Sequence, residues 1–151
     1  MLEIGNVGLS VTEQYSMMSL WSLASAPLLA GTDIVGASNT TLAILANKEV
    51  TAINQDLGKG GALQGIVVST DPEGKTEVWC KWLADGKSVA VVLLNMGANT
   101  TSVTAQFTDL KLSGSASVRD LWNAKDLPAA SGSLSATVPS HGTAMFKLTP
   151  K

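Results

Sequence analysis

Residues 76–94 read TEVWCKWLADGKSVAVVLL, and this stretch predicts a β-hairpin. From Thr76 to Leu83 polar and apolar residues alternate, which places successive side chains on opposite faces of a strand. One face carries Val78, Cys80 and Trp82, and the other carries Glu77, Trp79 and Lys81. The residues ADG at 84–86 are typical of a tight turn. The uninterrupted apolar run at 89–94 then predicts a central strand that is buried on both faces.

The residues around this hairpin continue as short strand-forming segments that are separated by turns. Such segments lie at 103–108, 118–122, 134–138 and 144–148. On the amino-terminal side, DPEG at 71–74 is a turn, and the glycine-rich segment 55–61 is typical of a linker. Short strands at regular spacing indicate an antiparallel β-sandwich. We therefore predict one β-sandwich domain over residues 61–151.

The first 60 residues have a different pattern, which predicts helix, strand and helix in that order. Ser10 and Glu13 have the spacing of a capping box, and the helix that they begin ends before Pro27. The uncharged run PLLAG at 27–31 predicts a strand buried on both faces. Ser38 is expected to cap a second helix. Its apolar face carries Leu42, Leu45, Ala46, Val50 and Ile53. This order is that of a piece of a parallel α/β structure.

Composition excludes several classes of protein. The chain has 151 residues, of which 45% are hydrophobic and 15% charged, so it is too apolar to be disordered. The net charge is −2 and no block of like charge occurs, which argues against nucleic acid and membrane as partners. No apolar run reaches the length of a transmembrane helix. The sequence at Met1 has no basic segment that would indicate a signal peptide.

The single cysteine and the single histidine restrict the chemistry further. Cys80 has no partner for an internal disulfide or for a multi-cysteine zinc site, and its place beside Val78 and Trp82 predicts a buried, unreactive thiol. His141 excludes any site that needs two histidines. We expect no metal and no cofactor.

Eight segments of the chain resemble one enzyme family in sequence and in spacing. They are MLEIGN (1–6), GLS (8–10), SLW (19–21), APLL (26–29), LANKEV (45–50), AINQD (52–56), VRDLW (118–122) and VPSHG (138–142). Together they are similar to the glycoside hydrolase family 27 α-galactosidases. The proline that usually follows the aspartate matching Asp56 is missing. The resemblance implies that residues 1–60 are a remnant of the last helix, strand and helix of a (β/α)₈ barrel, followed by the family's antiparallel β domain.

The resemblance also implies what the chain lacks. Members of the family are retaining enzymes that use two aspartates, a nucleophile and an acid/base, and both lie upstream of the residues matched here. A third, sugar-contacting aspartate normally precedes the methionine that matches Met1, so Met1 alone carries over as a substrate contact. We therefore expect no catalytic residue in this chain, which would be a fragment that is non-catalytic alone, with a role in structure or assembly. The family implies an extracellular or periplasmic location.

Three further residues are candidates for a site. Asp33 follows the last barrel strand, where barrel enzymes carry function, although a role in bracing the next loop is the more frequent one. Trp79 is the aromatic residue best placed to stack on a sugar, since Trp82 and Trp21 are expected in the core. His141 follows Ser140, but neighbouring strand residues point to opposite faces, so we expect a structural turn there.

These residues leave two alternative functions open. Exposed aromatic residues that include Trp79 would make the chain a carbohydrate-binding β module. A hydroxyl such as that of Ser140, together with His141, would make it an opportunistic esterase-type hydrolase. The partner in the first case is an α-galactoside or another carbohydrate. We also expect self-association, because the helices after Ser10 and Ser38 have apolar faces that suit a barrel.

Overall fold

The computed structural model describes residues 1–151, which form three layers around a central antiparallel sheet. The helices are α1 (Val11–Leu23), α2 (Asn39–Leu45) and α3 (Lys48–Gln55), and a short 3-10 turn follows at Lys59–Gly61. The strands are β1 (Ile66–Thr70), β2 (Thr76–Trp82), β3 (Val89–Asn95), β4 (Thr101–Gln106), β5 (Ser115–Asp120), β6 (Lys125–Ser131), β7 (Ser133–Val138) and β8 (Thr143–Pro150). No helix has both the length and the apolar character needed to cross a membrane.

The strands form the antiparallel sandwich that the sequence predicts. Six of them pair in the order β1-β2-β3-β8-β5-β6, and β4 pairs with β7 in a second sheet. The predicted hairpin is confirmed, since β2 and β3 pair in continuous register from Thr76 opposite Asn95 to Trp82 opposite Val89. Every residue of β3 is buried, because the second sheet covers one face of this strand and the helices cover the other.

Two apolar cores lie on the two faces of the six-stranded sheet. Val78, Cys80 and Phe146 belong to the core that lies between the two sheets. The second core joins the helices to the sheet, and its buried members include Met18, Leu23, Ile44, Val50, Ala90, Val92 and Met145. The helical segment and the sandwich therefore share buried contacts. The division of the chain at residue 60 stays a prediction.

The first helix begins as the capping box predicts. The amide of Glu13 donates to Ser10 Oγ at 3.2 Å, and the amide of Ser10 donates to Glu13 Oε2 at 2.8 Å. The helix ends at Leu23, four residues before Pro27.

The predicted strand at 27–31 is wrong in its extent and in its burial. Only Ala30 pairs, in an isolated parallel bridge with Leu2, and the side chain of Leu29 is 60% exposed. A strand that is buried on both faces needs strands on both sides and a covering layer. Here the segment has one neighbour, and although Leu28 packs partly against the helical core, Pro27, Leu29 and Ala30 are exposed.

The predicted second helix is two helices. Asn47 interrupts it, because its side-chain oxygen accepts hydrogen bonds from the amides of Glu49 and Val50, both at 3.0 Å, and so begins α3. Ser38 caps α2 as predicted, through the amide of Thr41 at 3.1 Å. Because of this break, the residues predicted to share one apolar face do not all lie in the core, and Leu42 is 39% exposed.

Candidate functional site

Asp33 lies in a shallow cleft of about 390 Å³ between the first residues of the chain and the start of α2. Its Oδ1 accepts a hydrogen bond from the amide of Val35 at 3.0 Å, which braces the loop that leads to Ser38. The cleft also contains Asn6 and Thr41, but no second carboxylate. The geometry of Asp33 is therefore that of a loop-bracing residue.

Met1 is 74% exposed and does not line the cleft of Asp33. It stands beside the parallel bridge of Leu2 and Ala30, where the absence of a Cβ on Gly31 allows close approach. A Cβ at Gly31 would lie 2.9 Å from the carbonyl oxygen of Leu2. Met1 and Asp33 thus occupy the same end of the helical layer without sharing one pocket.

His141 lies in the exposed turn between β7 and β8, with a left-handed backbone (φ 53°). Its carbonyl accepts a hydrogen bond from Ser16 Oγ at 2.8 Å, which ties the turn to α1. The hydroxyl of Ser140 donates to the carbonyl of Gly97 at 2.9 Å. The Ser140 hydroxyl is thus held by a backbone carbonyl rather than by the imidazole.

Trp79 is partly buried and packs against the core beneath the helices. Its indole nitrogen donates to Glu77 Oε2 at 2.7 Å. Because the ring faces the helical layer, it lies on the opposite side of the sheet from Cys80 and the second sheet. Trp79 and Trp82 are both partly buried, and the role of Trp79 as a sugar-stacking residue stays a prediction. Trp79, His141, Met1 and Asp33 form no common site.

Cys80 is fully buried, as its place in the alternation predicts. Burial raises the pKa of its thiol to about 12. The thiolate that a nucleophile or a metal ligand requires is therefore disfavoured. No group of three or more His, Cys, Asp and Glu side chains is placed to hold a metal ion.

Most carboxylates of the chain bind other groups of the same chain. Of the twelve acidic side chains, each except Asp109 accepts a hydrogen bond or forms an ion pair within the chain. One ion pair joins α3 to β5 through two hydrogen bonds, from Arg119 Nε and Nη2 to Glu49 at 3.0 and 2.6 Å. The hydrogen bond from Arg119 lowers the pKa of Glu49, and the one from Ser10 lowers the pKa of Glu13.

Lys81 is a residue whose role the sequence pattern did not reveal. It lies on the helical face of β2, and only 1% of its surface is exposed. Its ammonium donates to Ser25 Oγ at 2.7 Å, to the carbonyl of Ile53 at 2.8 Å and to the carbonyl of Asp56 at 2.7 Å. Burial lowers the pKa of Lys81, and the nearby charge of Asp56 opposes that change. The only available signal was a lysine between Cys80 and Trp82, on the face of the strand that also carries Trp79.

A larger cleft of about 610 Å³ lies on the sandwich half of the molecule. Lys59 of the 3-10 turn, Lys87 of the β2–β3 turn and Lys111 of the turn after β4 line it. Trp82 and Ile66 form part of its wall, and no acidic residue lines it. No local sequence pattern reveals this cleft, because its lysines are separated by more than twenty residues along the chain.

Two family models match the chain. Residues 73–148 match the model of the α-galactosidase C-terminal β-sandwich domain. Residues 1–56 match the model called α-galactosidase A.

Individual proteins give the same result. An α-galactosidase from Coffea arabica is 44% identical over 154 residues, which cover 100% of this chain and 39% of that protein. The crystal structure of α-galactosidase I from Mortierella vinacea has a TM-score of 0.88 and 31% identity over 99% of this chain and 39% of that one. A GH27 β-L-arabinopyranosidase from Geobacillus stearothermophilus, solved in complex with arabinose, has a TM-score of 0.86 and 27% identity over 95% of this chain and 32% of that one. The chain spans less than two fifths of the length of these proteins.

Proposed function

The chain belongs to the melibiase family of α-galactosidases, and from this premise we propose that its residues serve a structural role in an α-galactoside-hydrolysing protein. In this proposal the β-sandwich and the helices packed on it carry no glycosidase activity by themselves. The relatives from Coffea arabica and Mortierella vinacea are named for α-galactosidase activity, and in this proposal a protein that contains these residues shares it.

The absence of a suitable pair of carboxylates is the observation that carries this proposal. A retaining glycosidase needs two carboxyl groups about 5–5.5 Å apart in one cleft, one of them a general acid with a raised pKa. The cleft of Asp33 contains one carboxylate, and the lysine-lined cleft contains none. The pKa values of Glu13 and Glu49 are lowered, which is opposite to the requirement for a general acid.

The direct test is turnover of an aryl α-galactoside by the purified 151-residue chain, with the intact mass recorded on the same sample. The Coffea arabica α-galactosidase is the positive control. We expect no turnover above that of buffer, because the chain offers no nucleophile with an acid partner. Turnover at the correct mass would overturn the proposal, because it would require a catalytic site within this chain or between two copies of it.

We infer in addition that the chain associates with itself through the surface around residues 27–35. Several large apolar side chains there are exposed, among them Leu29 (60%), Ile34 (48%) and Val35 (99%). Val7 and Met1, at the same end of the molecule, are also exposed. Exposed apolar side chains grouped at one end of a molecule favour association in water.

A further inference from the structure

The cleft between the 3-10 turn and the β2–β3 turn combines positive charge with an aromatic wall. Lys59, Lys87 and Lys111 line it, and none of the three has a carboxylate within ion-pairing distance. By contrast, Lys75 pairs with Glu73 at the surface. Like charges on a concave wall strengthen one another's field, so the cleft attracts anions although the chain as a whole has a net charge of −2.

Trp82 gives the cleft a fixed apolar surface. Its indole nitrogen donates to the carbonyl of Leu110 at 3.1 Å, which together with packing against the sandwich core holds the ring in place. The ammonium of Lys111 lies 5.2 Å from the ring centroid, in the position of a cation–π contact. Ile66, which is 50% exposed, extends the apolar wall, and Ser113 adds a hydroxyl.

We propose that this cleft binds a short acidic oligosaccharide, with carboxylates at the lysines and a sugar ring against the part of the apolar wall that includes Ile66 and Leu112. A sugar ring has an apolar C–H face, hydroxyl groups and, in a uronic acid, a carboxylate, and these features match the wall, Ser113 and the ammonium groups. The volume of about 610 Å³ lies within the usual range for small-ligand sites. The choice of a saccharide rests on the proposed function within a carbohydrate-hydrolysing protein, whereas the anionic character rests on the lysines alone.

Calorimetric titration with trigalacturonic acid tests the proposal, with its neutral methyl ester and inorganic phosphate as comparison ligands. We expect the acid to bind, and the ester and phosphate to bind much more weakly, because the cleft requires both charge and ring. Lys87→Gln and Lys111→Gln should each weaken binding about fivefold, as expected for a partly solvated charge-assisted contact. Lys75→Gln is the matched control outside the cleft and should leave binding unchanged.

Four results would overturn the proposal: absence of binding by the acid, equal binding of the methyl ester, equal binding of phosphate, or equal weakening by Lys75→Gln. The substituted lysines are exposed, so thermal melting of each variant can verify that the fold is retained. Binding of trigalacturonic acid and turnover of an aryl α-galactoside are separate measurements. If trigalacturonic acid does not bind, the proposal for the cleft fails and the proposed function is still tested by turnover. If the chain turns over the galactoside, the proposed function fails and the binding measurement still tests the cleft.

Discussion

Lys81 shows how a single residue joins the helical layer to the sheet. It comes from β2, yet its three acceptors lie on α3, after α3 and after α1. The carbonyls of Ile53 and Asp56 belong to the carboxyl-terminal end of α3, where the helix dipole favours a cation. The ammonium therefore satisfies backbone acceptors that would otherwise be buried without a donor.

We predict that Lys81→Met lowers the free energy of unfolding by about 3 kcal/mol, because it leaves buried acceptors without a hydrogen-bond donor. Urea denaturation measures the change. Lys75→Met is the matched control, since Lys75 forms only an exposed pair with Glu73, and its stability should remain near that of the wild type. Equal stability of the two variants would contradict the role assigned to Lys81.

The ionisation of Asp85 is expected to make the stability of the fold depend on pH. Burial raises the pKa of Asp85, but hydrogen bonds from Ser88 and from the amide of Lys87 outweigh this and lower it from 3.8 to about 2. A carboxyl group with a lowered pKa in the folded state stabilises the fold above its unfolded pKa, and the contribution is lost as the pH falls through the folded value. This side chain therefore loses its effect between about pH 4 and pH 2.

Thermal unfolding of the wild type and of Asp85→Asn across this range measures the effect. We expect Asp85→Asn to be less stable at neutral pH, and the difference to shrink steadily as the pH is lowered to about 2. A difference that stays constant down to that pH would show that the ionised carboxylate is not responsible.

At the scale of elements, Asn47 separates α2 from α3 and also holds α3 on the sheet. Its oxygen caps the helix, and its side-chain nitrogen donates to the carbonyl of Leu121 at 3.2 Å. We predict that Asn47→Ala costs about 1–2 kcal/mol in stability, as loss of a helix cap usually does. Chemical denaturation measures this cost.

Asn47→Asp separates the two contributions of this side chain. Aspartate keeps the oxygen that accepts from Glu49 and Val50 but cannot donate to Leu121. We expect its stability to lie between that of the wild type and that of Asn47→Ala. If Asn47→Asp is as unstable as Asn47→Ala, the contact with Leu121 rather than the cap determines the stability of α3.

At the scale of the whole molecule, the surface around residues 27–35 predicts association. Light scattering coupled to gel filtration, at several protein concentrations, should show a mass that rises with concentration. Leu29→Glu combined with Val35→Glu should shift the chain toward a monomer, because it places charges in the exposed apolar surface. Glu substitution of Met96, which is 41% exposed in the β3–β4 turn, is the control. A compact monomer at all concentrations would contradict the inference.

Local sequence determined the central hairpin, the start of the first helix and the burial of the single cysteine. The alternation in residues 76–83, the turn at 84–86 and the apolar run at 89–94 were sufficient for the hairpin at the centre of the sheet. The capping box of Ser10 and Glu13 and the buried thiol of Cys80 followed from neighbours a few residues away. The segments that resemble the α-galactosidases agree with the two family models. The hairpin, the capping box and the buried thiol depend on backbone geometry or on the spacing of apolar residues. A short stretch of sequence contains both kinds of information.

Tertiary structure decided the features that depend on distant partners. Residues 27–31 have the composition of a buried strand, but burial depends on strands and layers beside them, and the fold supplies only the bridge to Leu2. Trp79 is partly buried because α-helices pack on its face of the sheet. Lys81 finds acceptors 25 to 56 residues away, and the lysines of the cleft meet only when three separate turns fold together. No local pattern fixes these contacts, since each requires side chains that are far apart in the chain.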